Sequence, residues 1–415
     1  MLARAREHSG ALFLLVATTV ANVLAYGYQV VQARLLRPEE YAALTALFGI
    51  LILESVSSQV IQSATATLVA RYRARDEMIA LRAFVRRWSV RLGGASAALG
   101  LVVVLLSPFL AGSLSLPPLS VALVGVALFL ALVFTFALGL LQGLARFVWM
   151  GTALIAQAAS RLAIGVALVL LGLGVDGAFT GATAAVAVSL VVAAVPLLPL
   201  VRASHASATG DVALGASETR FFALSAVILL AYAALTNIDA VLARTVLAPE
   251  QAGAYAGAIT MGKIVLFAPI AVGFILLERT ASAHARGEDT ARFLFLALGF
   301  VLVTSGAVAL AYVVAPGFLV PIVVGSQYPD TARIVGTYGL AALANALLNL
   351  WIAYFIGRGE MRVGLLLALA VAAEVALLFT AVSDAVSMAR VVLGVALATQ
   401  LAAIATFIFI RRRVT

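Results

Sequence analysis

The chain has 415 residues, 64% of them hydrophobic and only 11% charged, with a formal net charge of +9 and a mean hydropathy of +1.13. Soluble domains run near 45–50% apolar and about 25% charged, so a soluble fold is excluded and an integral membrane protein is expected. Cysteine is absent, which excludes disulfide and thiol chemistry.

The apolar blocks are about 20 residues or longer, enough for helices to cross a ~30 Å hydrocarbon core. The alternating ten-residue segments of a membrane β-barrel do not occur. After the basic start MLARAREHSG, the run ALFLLVATTVANVLAYGYQVV continues past signal-peptide length and reads as a retained first helix. Twelve spans follow in order, at roughly 10–33, 41–69, 88–111, 118–143, 151–173, 176–200, 220–247, 253–277, 293–315, 331–356, 361–381 and 388–410. With both termini cytoplasmic, about 20 of the 27 Lys and Arg residues fall on the inner side and about 5 on the outer. Arg161 and Lys263 lie inside spans. The positive charge is therefore a topology signal, and no nucleic-acid partner is expected. The densest basic block, Arg71 to Arg91 after span 2, reads as an orienting loop beside anionic lipid.

Span 2 carries Glu54 and a polar run of Ser55, Ser58, Gln59, Gln62 and Thr65. Spacings of 3, 4 and 7 put Ser55, Ser58, Gln59 and Gln62 on one helical stripe, with Glu54 at its edge, as on the wall of a wet cavity. Span 5 carries Gln157 and Arg161, four apart on one face, either lining a cavity for phosphate or sugar or bridging within a lobe. Gly172, Gly174, Gly177 and Gly181 bracket the span 5–6 hairpin, where a tight turn and close helix contact need small residues. GLGVDG is not a dinucleotide loop, because no strand precedes it.

The segment Arg202 to Arg220 is rich in Ala, Ser, Gly and Thr and reads as a flexible cytoplasmic linker. It separates a lobe at 1–201 from a lobe at 220–415, with the linker at 202–219. Span 7 ends with Asn237 and Asp239, placed near the outer interface, where a coupling cation, a sugar hydroxyl, or simple capping and helix-to-helix hydrogen bonding would use them. Lys263 lies about eleven residues into span 8, roughly 16 Å deep at ~1.5 Å per residue. Glu374 is deep in span 11, and Asn345 and Asn349 sit four apart on span 10. An ionisable group near the bilayer centre costs at least ~2.5–3.5 kcal/mol and marks a candidate site. Lys263, Arg161, Gln59, Gln62, Asn345 and Asn349 are candidate substrate contacts; Glu54, Asp239, Asn237 and Glu374 are candidate coupling-ion residues. Glu54 and Lys263 occupy nearly equivalent depths and could form an ion pair or a divided substrate and ion site. His8, His205 and His284 fall in tails or loops, so neither a metal site nor a histidine relay is expected.

The halves echo one another. ARLLRPEEYAAL (Ala33 to Leu44) matches RTVLAPEQAGAY (Arg244 to Tyr255), with Pro38 and Pro249 separated by an offset of 211. A duplication gives an all-α polytopic membrane protein of about 12 transmembrane helices. Its two six-helix lobes share one orientation about a pseudo-two-fold axis along the membrane normal, with a central cavity between them.

LLRPEEYA, NIDAVLARTVLAPEQAGAY and RLAIGVALVLLGLGVDGAFTG together resemble the Wzx-type polysaccharide flippase family. That family belongs to the multidrug/oligosaccharidyl-lipid/polysaccharide (MOP) exporter superfamily. The family usually has Gly after the first-turn Tyr, where this chain has Ala42. The resemblance implies two six-helix lobes, alternating access and a polyprenyl-diphosphate-linked oligosaccharide moved from the inner to the outer leaflet for cell-surface polysaccharide synthesis. It implies a multi-pass protein of the cell membrane that acts as a monomer, in contact with membrane lipids and other polysaccharide-assembly proteins. No cofactor is expected beyond a proton or sodium gradient. The alternative is a multidrug exporter of organic cations from the same superfamily, coupled to protons or sodium. An enzyme is not expected, because outer loops such as SLSLPPLS and VDG are too short and bare for catalysis.

Overall fold

The computed structural model describes residues 2–202, 216–285 and 290–412; His205 and most of the predicted linker lie outside the described residues, as do the side chains of His8 and His284. Nearly all described residues are helical and none is in a strand. Hydrocarbon supplies no hydrogen-bond partners, so a chain this apolar must satisfy its backbone within each segment. Eight helical stretches among the described residues, one of them a continuous run through two predicted spans, are long and apolar enough to cross a membrane.

The chain divides into two compact units: Met1–Leu36 with Leu51–Phe222, and Arg37–Ile50 with Ala223–Thr415. The first holds α1 (Leu2–Leu35), most of α2 (Pro38–Ala74), α3 (Met78–Leu114), α4 (Pro118–Gly143), α5 (Phe147–Leu168), α6 (Gly174–Ala194) and the short α7 (Leu198–Arg202). In it α5 packs on α1 and α6, and α4 on α3 and α6. Between α5 and α6 the chain passes through a π-helical turn, Val169–Leu173, where Gly172 (φ 87°) and Gly174 (φ 50°) take left-handed conformations that disfavour a Cβ. The predicted glycine hairpin is therefore present. Its arms touch closely, since a Cβ on Gly181 would lie 2.3 Å from Gly165 Cα.

The second unit holds the start of α2, then α8 (Ala216–Leu235, from Ala223 onward), α9 (Ile238–Val246), α10 (Pro249–Ala285), α11 (Ala291–Val314), α12 (Pro316–Val323), α13 (Thr331–Gly357), α14 (Val363–Thr380) and α15 (Ala385–Arg412). Its hub is α13, which packs against α10, α11, α12 and α15. Small residues let the hub in: a Cβ on Gly262 of α10 would lie 2.5 Å from the Tyr338 ring of α13. Two differences from the expected spans stand out. Span 7 is broken at Thr236–Asn237 into α8 and α9, and the short helix α12 precedes α13. The N-terminus of α15 is fixed by Asp384, whose Oδ1 accepts from the Ser387 backbone N–H at 2.6 Å.

The echo seen in sequence is also structural. Pro38 and Pro249 each open a helix of 37 residues, with proline at the first helical position, where no amide donor is needed. At roughly 1.5 Å per residue these helices rise about 55 Å, well beyond a ~30 Å core. Arg71 and Arg73 fall in the last turn of α2, where such overhang places charge outside hydrocarbon. Within the second unit the two helix starts touch: Arg244 Nη1 donates to Glu39 O at 3.1 Å, and a Cβ on Gly253 would meet Pro38 Cβ at 2.5 Å and its carbonyl carbon at 2.7 Å.

Replacing Gly253 with Leu should therefore lower the thermal midpoint of the purified protein by the equivalent of about 1–3 kcal/mol. Gly299→Leu, at a position with open space around the added side chain, should leave it unchanged. Equal midpoints for the two variants would refute the close contact.

Candidate functional site

Among the described residues of the second unit, a cluster of buried polar groups forms where span 7 breaks. The turn at Thr236 and Asn237 interrupts the helical ladder, and nearby groups repair it. Thr236 N bonds Tyr232 O at 3.1 Å and Asn237 N bonds Ala234 O at 3.1 Å. Asn237 occupies the N-cap position of α9 without capping it; its Nδ2 instead donates back to Ala233 O and to Thr236 Oγ1, both at 3.0 Å. The predicted capping role thus becomes repair of the preceding helix end.

The break sets Asp239 in the first turn of α9, about eight residues, or roughly 12 Å, from the end of the span. Sequence reading put it near the interface; it is fully enclosed, at 1% exposure. Tyr255 of α10 donates its hydroxyl to Asp239 Oδ2 at 2.8 Å, and the phenol of Tyr338 on α13 lies close enough to act on the same carboxylate. The two rings meet edge to face, with centroids 5.4 Å apart at 83°, a favoured aromatic geometry. Glu374 of α14, also 1% exposed, lies close enough for its charge to act on Asp239, and α14 packs on α9. Asp239 Oδ1 and both carboxylate oxygens of Glu374 have no hydrogen-bond partner.

Asn345, seven residues and about two turns beyond Tyr338, lies on the same face of α13 and is buried with Oδ1 unpartnered. Tyr232 of α8 donates to Asn345 O at 2.9 Å, with the Asn349 side chain nearby. The structure therefore brings Asp239 and Glu374 together and sets Asn345 and Asn349 on the adjoining helix. Lys263 is half-buried on α10 of the same unit, beside Gly262.

The remaining candidates belong to the first unit. Glu54 accepts a short hydrogen bond from Ser58, which in turn accepts from Thr135 of α4 at 2.9 Å. Gln62 Nε2 donates to Gln142 Oε1 of α4 at 2.9 Å, while Gln59 is exposed. The polar stripe on α2 therefore splits, with Ser58 and Gln62 turned to α4 and Gln59 away from it. Arg161 stacks its guanidinium 4.6 Å from the ring centroid of Tyr28 on α1. Tyr28 is fully buried and donates to Ala178 O at 2.8 Å.

Sequence reading missed Tyr255, Tyr338 and Tyr28. The spacing of Tyr338, Asn345 and Asn349 along one face was a usable signal. Asp239 and Glu374, with the phenols of Tyr255 and Tyr338 beside Asp239, form an oxygen-rich cluster of a kind that can hold a proton or a monovalent cation. No group of three or more His, Cys, Asp or Glu residues able to hold a metal occurs among the described residues.

No protein-family model and no curated protein matches the sequence. Solved structures do match its fold over nearly the whole chain. An inward-facing multidrug resistance MATE family transporter of the MOP superfamily superposes with a TM-score of 0.74 at 16% identity, covering 97% of this chain and 98% of that one. The eukaryotic MATE transporter AtDTX14 gives 0.64 at 13%, covering 98% and 96%. A MOP superfamily transporter from Pyrococcus furiosus, described as having a binding pocket of reverse polarity that suggests a different function, gives 0.56 at 14%, covering 98% and 96%. The chain thus has the MOP fold, that of a multi-pass membrane protein. The finer likeness to Wzx flippases has no counterpart among these structures.

A double-mutant cycle tests the geometry. Tyr255→Phe should destabilise the protein by about 1–3 kcal/mol, because it leaves a buried carboxylate oxygen unsatisfied. In an Asp239→Asn background the same change should cost clearly less, read as the shift in thermal midpoint. Equal costs in both backgrounds would mean the two groups do not interact.

Proposed function

We propose that the protein is a secondary transporter that exports amphipathic organic cations in exchange for a proton or a sodium ion held between Asp239 and Glu374. One observation carries this reading: two carboxyl groups share an enclosed site with three oxygens unpartnered. Two ionised carboxylates cannot be kept there without compensation, since each uncompensated buried ion costs several kcal/mol. A bound proton or cation supplies that compensation, and release of it re-creates the penalty. Occupancy would therefore bias any conformational equilibrium that opens the site. The broken span at Thr236–Asn237 supports the same reading, because discontinuous helices near mid-membrane commonly form coupling-ion sites in transporters. The fold shared with MATE multidrug transporters supports export as the activity.

A second reading is the flipping of a polyprenyl-diphosphate-linked oligosaccharide. The observation in its favour is Arg161, a planar cation stacked on Tyr28 among the helices of the first unit and suited to phosphate oxygens. Lys263, Gln59, Gln62, Asn345 and Asn349 are proposed as further cargo contacts under either reading, and Glu54 as a second coupling acid.

Proteoliposomes decide between them. With a proton or sodium gradient imposed, the wild type should move a fluorescent organic cation against its own gradient. Asp239→Asn and Glu374→Gln should each lower that ion-driven rate at least about ten-fold, the cost of roughly 1.4 kcal/mol of lost coupling, with membrane levels unchanged. Lys263→Ala and Glu54→Gln should impair transport with normal accumulation. Gradient-independent behaviour of the acid variants and the wild type alike would reject the coupling site. Accumulation of a complete lipid-linked oligosaccharide in cells lacking the protein, with no cation transport in vesicles, would establish the second reading instead.

A further inference from the structure

We infer that the second unit carries a binding site for an anionic phospholipid, with its phosphate at Arg358 and Arg362 and one acyl tail in the groove between α14 and α15. The observation is a pair of adjoining cavities. The first, of about 320 Å³, lies where α13 ends, α14 begins and α15 ends; Arg358, Arg362, Glu360, Thr406 and Phe409 line it. The second, of about 410 Å³, runs between α14 and α15 with an almost wholly apolar lining that includes Leu369, Ala373, Leu377 and Gly394. Leu366 lines both, so the polar pocket and the apolar groove adjoin at that residue. From Leu366 to Leu377 the channel follows eleven residues of α14, roughly 16 Å at ~1.5 Å per residue.

The head pocket has the charge a phosphate requires. Arg358 is the C-cap residue of α13 and Arg362 the N-cap residue of α14. Arg358 is held in place: its Nη1 donates to Tyr354 Oη at 3.1 Å, and its guanidinium lies 5.8 Å from that ring centroid. Its buried Nε has no partner. Neither arginine forms an ion pair with a carboxylate among the described residues, and Glu360 is the only acid lining the pocket. In sequence, Arg411, Arg412 and Arg413 follow directly on Ile410, which also lines the pocket. A guanidinium presents its donors in a fork that matches phosphate oxygens, and the helix ends place this fork at the membrane edge, where lipid phosphates lie. The groove beside it is apolar and lies between α14 and α15, the surroundings a hydrocarbon tail requires.

The test is lipid retention by the full-length protein, read by native mass spectrometry after detergent purification with equal amounts of added phosphatidylglycerol and phosphatidylcholine of identical chains. The wild type should keep phosphatidylglycerol in preference. Arg358→Ala with Arg362→Ala should reduce that preference roughly ten- to thirty-fold, following about 1 kcal/mol per basic residue near an anionic headgroup. Arg362→Glu alone, at an exposed position, should reduce it without any question of folding. Gly394→Phe should abolish retention of either lipid with the arginines intact; the position has open space around it, so the ring enters the channel without strain. An unchanged preference in the arginine variants, retention unaffected by Gly394→Phe, or stronger retention of an added polyprenyl phosphate than of phosphatidylglycerol would each overturn the proposal.

Discussion

The constraint on which everything else here depends is that hydrocarbon offers no partner to a peptide group. It explains why nearly every described residue is helical. It also explains why one interruption within a predicted span carries so much of the chemistry. A broken helix deep in a membrane frees carbonyls and amides that must be satisfied locally. Asn237 does this by turning its amide back to Ala233 O and Thr236 Oγ1. An apolar residue at 237 could fill the space but could not close the ladder. The same break starts a new helix whose first turn carries Asp239, where the helix dipole favours negative charge.

Around that carboxylate the structure is economical. Asp239 accepts the Tyr255 hydroxyl with the Tyr338 phenol beside it, and Gly262 leaves room for the Tyr338 ring. Glu374 receives no hydrogen bond. The two acids therefore differ in kind: one is oriented by donors, the other is bare. A site meant only for stability would pair both, since an unpaired buried charge is costly and a hydrophobic substitute would serve better. A bare acid beside an oriented one is what the proposed exchange of a small cation would use.

Much of this fold was legible in the sequence, because length of apolar run and period are one-dimensional quantities. The twelve spans, the repeat at Pro38 and Pro249, and the glycine turn at Gly172 and Gly174 all depend on local spacing. The site was legible in its acids and asparagines but not in its tyrosines. Asp239 and Glu374 stand 135 positions apart, and nothing in their spacing says that α9 and α14 pack together. Tyrosine is ordinary in membrane helices, so Tyr255 gave no local signal, and only the shared face of Tyr338 with Asn345 and Asn349 hinted at the second. The depth of Asp239 was misjudged for a related reason. A span read as one unbroken helix puts it near the interface, and a two-residue turn leaves hydropathy almost unchanged.

The duplication sharpens the asymmetry between the units. The offset that aligns Pro38 with Pro249 also aligns Tyr28 with Asp239, and it brings Glu374 within two residues of Arg161. Corresponding helices carry both pairs: α1 and α5 in the first unit, α9 and α14 in the second. At matching places in the repeat, one unit therefore stacks a guanidinium on a phenol ring, and the other sets two carboxyls together. The helix geometry also diverges there, since α1 runs unbroken through Tyr28 while the equivalent span is broken before Asp239. The two units thus carry opposite charge close to matching places in the repeat. An unbroken helix suffices where arginine and tyrosine satisfy each other. In the other copy the broken helix sets freed backbone groups beside a buried acid with no hydrogen-bond partner.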